Sequence, residues 1–391
     1  MTYRTLTMMG TEINAMDMHG NPTEPFVPFS VRVPQFTELK DGTLLYCFQA
    51  KYNSQLDEEP CCQVMMRSCD GGNTWGEARL LTYKGAPLNM WGVPVYDEVN
   101  DALVYLGRTR HWKPGFEEDR LLTEEDQVKG RVDERFWVAK SADGGLSWSD
   151  YKEVVLDAPK DWRVQHCLTP GSGIQLKHQL DKSKNGRLVV PANHIGANEG
   201  GKNEFGAHVL ISDDFGDTWR TGAVQDYTGG NECLMTELSD GTLILNCRGQ
   251  GCIPANVRLQ SISKDGGDTF AENGPVESLY DPCCHGGFTS GEAGGKEYVY
   301  CSLPTGELEN PWSCLGVMGR WGKREKMMLY RSSDGGRTYN PVKQLSPQGE
   351  FAAYSALQVT RDGKLLCAWE SGPENGLYRD IKYMMLDPCS L

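Results

Sequence analysis

An all-β fold, a six-bladed β-propeller of four-stranded antiparallel sheets, is what three features of this sequence predict. They are a turn motif that occurs five times, Asp-Gly and Asn-Gly hairpin signals between the copies, and strand-like segments at both ends. The turn reads S-x-D-x-G-x-[T/S]-aromatic. It runs from Ser68 to Trp75, Ser141 to Trp148, Ser212 to Trp219, Ser263 to Phe270 and Ser332 to Tyr339. In each copy the Asp (70, 143, 214, 265, 334) can accept hydrogen bonds from its own turn. The Gly (72, 145, 216, 267, 336) can take positive φ, and the hydroxyls tie the ends. The closing aromatic then packs beneath the turn. Recurrence at intervals of roughly 50 to 70 residues signals a radial array of small sheets.

Between the turns, β-rich runs flank D-G or N-G pairs at 36–48, 185–192, 234–247 and 357–370. This is the strongest short hairpin signal. The ends, YRTLTMM (3–9) and DIKYMML (380–386), read as strands that pair within one blade and close the ring. Five motif copies and one closing blade without a copy make six. No linker interrupts the repeats, so residues 1–391 read as one domain. The longest non-repetitive segment, 109–136, is charged; it reads as an excursion from a blade, part of it helical, over the mouth of the propeller.

The formal net charge of −14 argues against nucleic acid and anionic membrane surfaces as partners. No apolar run is long enough to span a bilayer. Of the 14 cysteines, Cys47, Cys247 and Cys367 lie in apolar strand-like runs, where a thiol acts as a small hydrophobe. The adjacent pairs Cys61–Cys62 and Cys283–Cys284 are awkward for bridging, and no Cys/His spacing resembles a zinc site. The N-terminal stretch lacks a signal-peptide pattern, and the one N-x-S/T triplet, Asn21-Pro22-Thr23, is disqualified by its proline. The expected setting is a reducing, intracellular one, although a chain with its signal removed would read the same way. No metal or organic cofactor is implied, and oligomeric state is not legible.

Several further elements occur in a fixed order: Val31-Arg32-Val33-Pro34, Lys51 to Asp57 (KYNSQLD), Asn231-Glu232 followed by Asn246-Cys247-Arg248, Arg324, Ala353-Tyr354-Ser355 and Trp369-Glu370. With the five turns, this set resembles the exo-sialidases (neuraminidases), six-bladed propellers that carry the same Asp-box turn. The resemblance implies an exo-α-sialidase that removes terminal sialic acids from glycoconjugates. It gives Arg32, Arg248 and Arg324 as the carboxylate clamp, Tyr354 as nucleophile, Glu232 as its base, Asp57 as acid/base, and Glu370 as the buttress of Arg32.

The chemistry of such a set can be argued on its own terms. Three guanidiniums converging on one carboxylate give charge-assisted, partly bidentate hydrogen bonds that lysine cannot match. A carboxylate nucleophile would be repelled by the carboxylate on the anomeric carbon of a sialic acid. A neutral tyrosine avoids that repulsion, and the family resembled here is the exception among glycosidases that uses a tyrosine nucleophile. A free phenol titrates near pH ~10, so Tyr354 needs Glu232 to take its proton, and nearby guanidiniums should favour the phenolate. Asp57 would protonate the leaving oxygen and then deprotonate water. Its neighbours Glu58 and Glu59 read as solvated. Arg248 follows an apolar strand and requires an anionic partner.

Departures from the family pattern fall on sugar recognition. Lys51 stands where the family has an Arg near O4 of the sugar. Asn89, Met90 and Trp91 occupy the segment near the C5 substituent, where Met90 and Trp91 either line a pocket for an acyl methyl or belong to the core. His285 stands where intracellular animal relatives have a Gln facing the glycerol tail, and contact with that tail or a structural role both remain open. N-acetylneuraminic acid is the default sugar, and the deaminated sialic acid Kdn, with a hydroxyl at C5, is the alternative. A non-catalytic propeller that binds sialylated glycans would keep the arginines without needing Tyr354, Glu232 and Asp57 together. Transglycosylation would need an aromatic acceptor platform that the sequence does not identify.

Overall fold

In the computed structural model, which describes residues 3–391 except 88–89, 199, 253, 255, 315–316 and 374–377, six antiparallel sheets form a six-bladed β-propeller. From the axis outward, blade one comprises Ser30–Glu38, Leu44–Lys51, Cys61–Ser68 and Ala78–Leu80. Blade two comprises Trp91–Asp97, Ala102–Trp112, Val132–Ser141 and Lys152–Val154. Blade three has a divided inner strand, Val164–Leu168 and Ile174–Gln175, then Leu188–Ala197, Asn203–Ser212 and Arg220–Val224. Blade four runs Gly230–Glu237, Leu243–Gly249, Val257–Ser263, Glu272–Tyr280; blade five Gly287–Ala293, Lys296–Pro304, Met327–Ser332, Asn340–Gln344. Blade six combines Phe351–Val359, Leu365–Gly372 and Asp380–Leu386 with the N-terminal strand Arg4–Met8, the expected ring closure.

Each sheet is covered on both faces by its neighbours, so its middle strands are apolar runs rather than alternating ones; Leu44–Lys51 is buried throughout. The core is correspondingly six layers between successive blades. Trp75 packs into the layer between blades six and one, Trp148 into one and two, Trp219 into two and three, Phe270 into three and four, and Tyr339 into four and five. Every Asp-box aromatic therefore joins its own blade to the preceding one. The turn itself is held as the sequence predicts. Asp70 Oδ1 accepts the Thr74 amide at 2.9 Å and Oδ2 its hydroxyl at 2.6 Å, while Ser68 Oγ donates to Oδ1 at 2.8 Å. The five box glycines have φ between 80° and 86°.

Because the strands are antiparallel, the inner hairpins and the Asp boxes lie on one face of the ring. The starts of inner strands, the ends of second strands and the loops from second to third strands lie on the other. On the Asp-box face the channel widens to a cavity of ≈ 420 Å³ lined by Glu38, Glu98, Lys177, Glu237 and Arg361, and no predicted site residue lines it. The excursion from blade two is shorter than 109–136, because the strands themselves run to Trp112 and restart at Val132. Its helical part is one short turn, Glu124–Val128, capped by Thr123 and fastened by a paired Arg120–Asp126 contact at 2.8 Å. Cys47, Cys247 and Cys367 are buried free thiols.

Inside blade three, His166, His208 and His194 form a chain: His166 Nδ1 to His208 Nε2 is 2.9 Å, and His208 Nδ1 to His194 Nδ1 is 3.1 Å. Trp162 stacks on His194 at 3.6 Å. Burial pushes His166 down to about 4, His194 to about 3 and His208 well below its ordinary value. Glu134 and Arg108 are the charged groups facing His166, and they act in opposite senses. An imidazole depressed in the folded state adds stability that is complete above its unfolded value near ~6.5 and is lost as pH falls toward the folded value. Lowering the pH from 7.5 to 5.5 should therefore cost roughly 1 kcal/mol for each imidazole and lower the urea midpoint. A midpoint that holds or rises would mean that the cluster is charged in the folded protein.

Candidate active site

The seven residues expected to do the chemistry or hold it in place come from strands of three blades and from two loops on the face opposite the Asp boxes. Arg32, Glu232 and Tyr354 stand near the starts of the inner strands of blades one, four and six. Arg248 and Glu370 stand near the ends of the second strands of blades four and six. Arg324 precedes the third strand of blade five, and the seventh residue, Asp57, lies on the loop after Lys51 in blade one. Two bulges aim the side chains. The ladder slips between Arg32 and Gln35, where Val33 has φ 57°, and between Ala353 and Ser355, where Tyr354 has φ 23°. Neither a β-branched residue nor a tyrosine takes positive φ without strain, and such strain clusters at functional sites.

The phenol of Tyr354 is the centre of the arrangement. Its hydroxyl donates to Glu232 Oε1, and Arg248 Nη1 donates to its oxygen at 3.3 Å. The Arg32 guanidinium carbon lies 5.0 Å from the ring centroid and that of Arg324 5.5 Å. All three guanidiniums thus surround one aromatic ring. Arg248 finds the anion its burial requires in Glu232, at 2.8 Å. Arg32 Nε donates to Glu370 Oε1 at 2.8 Å, and the strained Val33 amide donates to the same oxygen at 2.7 Å. Asp57 stands in solvent at the mouth, 3.6 Å from Arg32.

The electrostatics of the empty site hold the nucleophile neutral. Burial and then Glu232 push Tyr354 well above the ordinary phenol range, and Arg248 and Arg324 do not reverse this. The guanidiniums do act in the expected sense, favouring the phenolate, but burial and Glu232 outweigh them, so the phenol stays neutral until its proton has somewhere to go. Burial also pushes Glu232 upward, but Arg248 and the hydrogen bond from Tyr354 outweigh it and hold the carboxyl below its ordinary range. An ionised carboxylate accepting from a neutral phenol is a base and nucleophile in the correct starting states. Arg32 is charged far above its ordinary range because Glu370, Tyr378 and Asp57 overcome the cost of burial.

The remaining candidates separate. Lys51 is buried beside Arg32, its ammonium donating to the Leu56 carbonyl, and burial followed by Arg32 lowers its pKa. It thus secures the loop that carries Asp57. Glu59, expected to be solvated, is instead buried and accepts from the Asn53 amide at 2.9 Å, Asn53 Nδ2 at 2.8 Å and Ser54 Oγ at 3.0 Å. The reason is that the tight loop needs an internal acceptor. Met90 belongs to the core layer between blades one and two, and Trp91 packs half-buried against the layer between two and three. Asn89 lies outside the described residues. His285 is buried with its ring centroid 5.6 Å from that of Tyr354, and burial pushes it to about 3.

Three contributors carry no signal in the sequence. Tyr378 lays its ring beneath Arg32 at 3.6 Å, and its hydroxyl accepts from Arg324. Cys283, with φ 60°, accepts from Arg248 Nε through its sulfur at 3.4 Å and from Arg324 Nη2 through its carbonyl at 3.4 Å. Glu124, on the short helix of the excursion, is pushed up by burial while Arg110 and Arg108 oppose, and it is close enough to interact with Asp57 and Arg248. The excursion thus reaches the edge of the site.

Residues 42–367 match the BNR repeat-like domain. A sialidase of Micromonospora viridifaciens is 28% identical over 364 residues, 91% of this chain and 52% of that protein. A sialidase of Bacteroides fragilis is 26% identical over 381 residues, 90% of this chain and 62% of that protein. The chain thus spans little more than half the length of these relatives. A structure of Trypanosoma rangeli sialidase with the inhibitor DANA superposes with a TM-score of 0.71 at 19% identity, covering 98% of this chain and 59% of that one; at this identity the likeness speaks for the fold.

Removing the Glu370 carboxylate would leave the buried Arg32 charge and the Val33 amide without their shared acceptor. Glu370→Ala should lower the unfolding free energy by about 3–5 kcal/mol, read from urea denaturation. A loss within the scatter of surface substitutions would show that Arg32 is held by other groups.

Proposed function

The chain belongs to the BNR repeat-like domain family, and on that footing we propose that it is a retaining exo-α-sialidase, releasing terminal sialic acids from sialylated glycoconjugates through a covalent tyrosyl intermediate. The observation that carries the reading is the Tyr354–Glu232 hydrogen bond enclosed by Arg32, Arg248 and Arg324. The sialidase relatives support it.

The three guanidiniums take the sugar carboxylate, which orients the anomeric carbon toward Tyr354. Tyr354 Oη attacks that carbon while its proton passes to Glu232. The bond to the leaving oxygen breaks as Asp57 gives that oxygen a proton. In the second half Asp57 takes a proton from water, water attacks the same carbon, and the departing phenol oxygen recovers its proton from Glu232. Two inversions give net retention. A glycan-binding propeller without catalysis would need none of this coupling between Tyr354 and Glu232.

For the sugar itself, N-acetylneuraminic acid is the first reading. Met90 is buried between blades, which leaves Trp91 as the described apolar side chain of that segment for an acyl methyl and keeps Kdn as the second reading.

Fluorogenic α-ketosides of the two sugars test both points, and release from neither would sink the proposal. Glu232→Gln should lower kcat about 10²–10⁴-fold. Tyr354→Phe should abolish the α-anomer as first product, read by proton NMR. Asp57→Asn should slow an alkyl sialoside far more than the fluorogenic one, whose phenolic oxygen leaves without a proton.

A further inference from the structure

Large apolar side chains stand in solvent on two segments beside Asp57. Val27 is 52% exposed, Phe29 42%, Tyr52 43% and Leu56 57%. The segments lie edge to edge. The Phe29 amide donates to the Lys51 carbonyl at 2.8 Å, the Tyr52 amide to the Pro60 carbonyl at 3.4 Å, and the rings of Phe26 and Tyr52 are 5.6 Å apart. Leu56 sits at the tip of the loop, where its carbonyl accepts from the buried Lys51 ammonium, and the next side chain, Asp57, is 87% exposed. Elsewhere, exposed apolar side chains such as Leu146 stand in Asp-box turns on the opposite face, away from Asp57. Isolated cases need no explanation, but a group gathered beside a reactive carboxyl does.

Resting on the reading of Asp57 as the acid that protonates the leaving oxygen, we propose that Val27, Phe29, Tyr52 and Leu56 form the subsite for the leaving group. It takes an aglycone through an apolar face, the C–H face of a pyranose or an aromatic ring. The geometry follows from proton transfer. Asp57 must come within hydrogen-bond reach of the glycosidic oxygen, so the first ring beyond that oxygen lies over the loop carrying Leu56 and against Tyr52. The charged end of the sialic acid is taken up by the guanidiniums around Tyr354, which leaves the apolar rim to the other side of the scissile bond. Glu59, buried under the loop, and Lys51, bound to its tip, fix the platform before any ligand arrives.

The test compares methyl α-sialoside, benzyl α-sialoside and 3′-sialyllactose on the full chain. Methanol and benzyl alcohol leave with nearly equal ease, so a difference between those two glycosides reports binding of the ring. The benzyl glycoside should be cleaved about tenfold more efficiently in kcat/KM than the methyl one, and Tyr52→Ser with Leu56→Ser should bring that ratio to within about twofold of unity. The ratio is taken within one preparation, so loss of folded protein cancels. Preference for benzyl alone marks an aryl or lipid-like aglycone, preference for both ringed substrates marks a sugar face, and either supports the subsite. Equal efficiency on methyl and benzyl glycosides, or a preference the double substitution leaves unmoved, overturns it while the hydrolase reading stands. Cleavage of none of the three sinks that reading and the subsite with it.

Discussion

Like charges repel, and this propeller has to keep Arg32, Arg248, Arg324 and Lys51 together on one face before any anion binds there. It does so with carboxylates placed behind the guanidiniums rather than in front of them. Glu370 takes the Nε edge of Arg32 and Glu232 one Nη of Arg248. Aromatic faces fill the intervening space, Tyr378 under Arg32 and Tyr354 between the guanidiniums. Arg324 rests against the Tyr378 hydroxyl and the Cys283 carbonyl. The net negative charge of the chain makes such a concentration of cations a local construction.

The ring architecture makes that construction possible with little regular structure. Inner strands begin, and second strands end, at the same face of every blade, so residues hundreds of positions apart in the chain are placed around one axis. The bulges at Val33 and Tyr354 interrupt ladders that would otherwise alternate side chains between neighbouring blades. The Val33 strain is matched by a hydrogen bond from its amide to the carboxylate that holds Arg32. Backbone distortion and charge placement are thus one feature at this position.

The fold was legible because its signals are local. An Asp box needs only eight consecutive residues, and the D-G hairpins fewer, so repeat spacing led directly to blade number. The ordered motifs likewise placed Arg32, Glu232, Arg248, Arg324, Tyr354 and Glu370 in one arrangement. What the sequence hid depends on partners far away along the chain. Tyr378 has no motif, and its place beneath Arg32 exists only after blades one and six meet. Cys283 read as half of an awkward pair, because nothing local says that its sulfur faces Arg248. Glu59 looked like one more charge in an acidic loop, although the loop folds around it. How strongly Tyr354 is held neutral was hidden for a related reason: counting nearby cations is possible from a sequence, but weighing them against desolvation requires knowing how deeply the ring is set.

Tyr354, Glu370 and Tyr378 lie in or beside the strands of the blade that borrows its outermost strand from residues Arg4–Met8. During translation the first five blades can stack as they emerge from the ribosome, already bearing Arg32, Glu232, Arg248 and Arg324. The phenol and the buttress of Arg32 arrive with the last stretch, and that blade gains its full width only when residues Asp380–Leu386 find the waiting N-terminal strand. The centre is therefore completed late, and a nascent chain carries the cations and Glu232 without the phenol they surround.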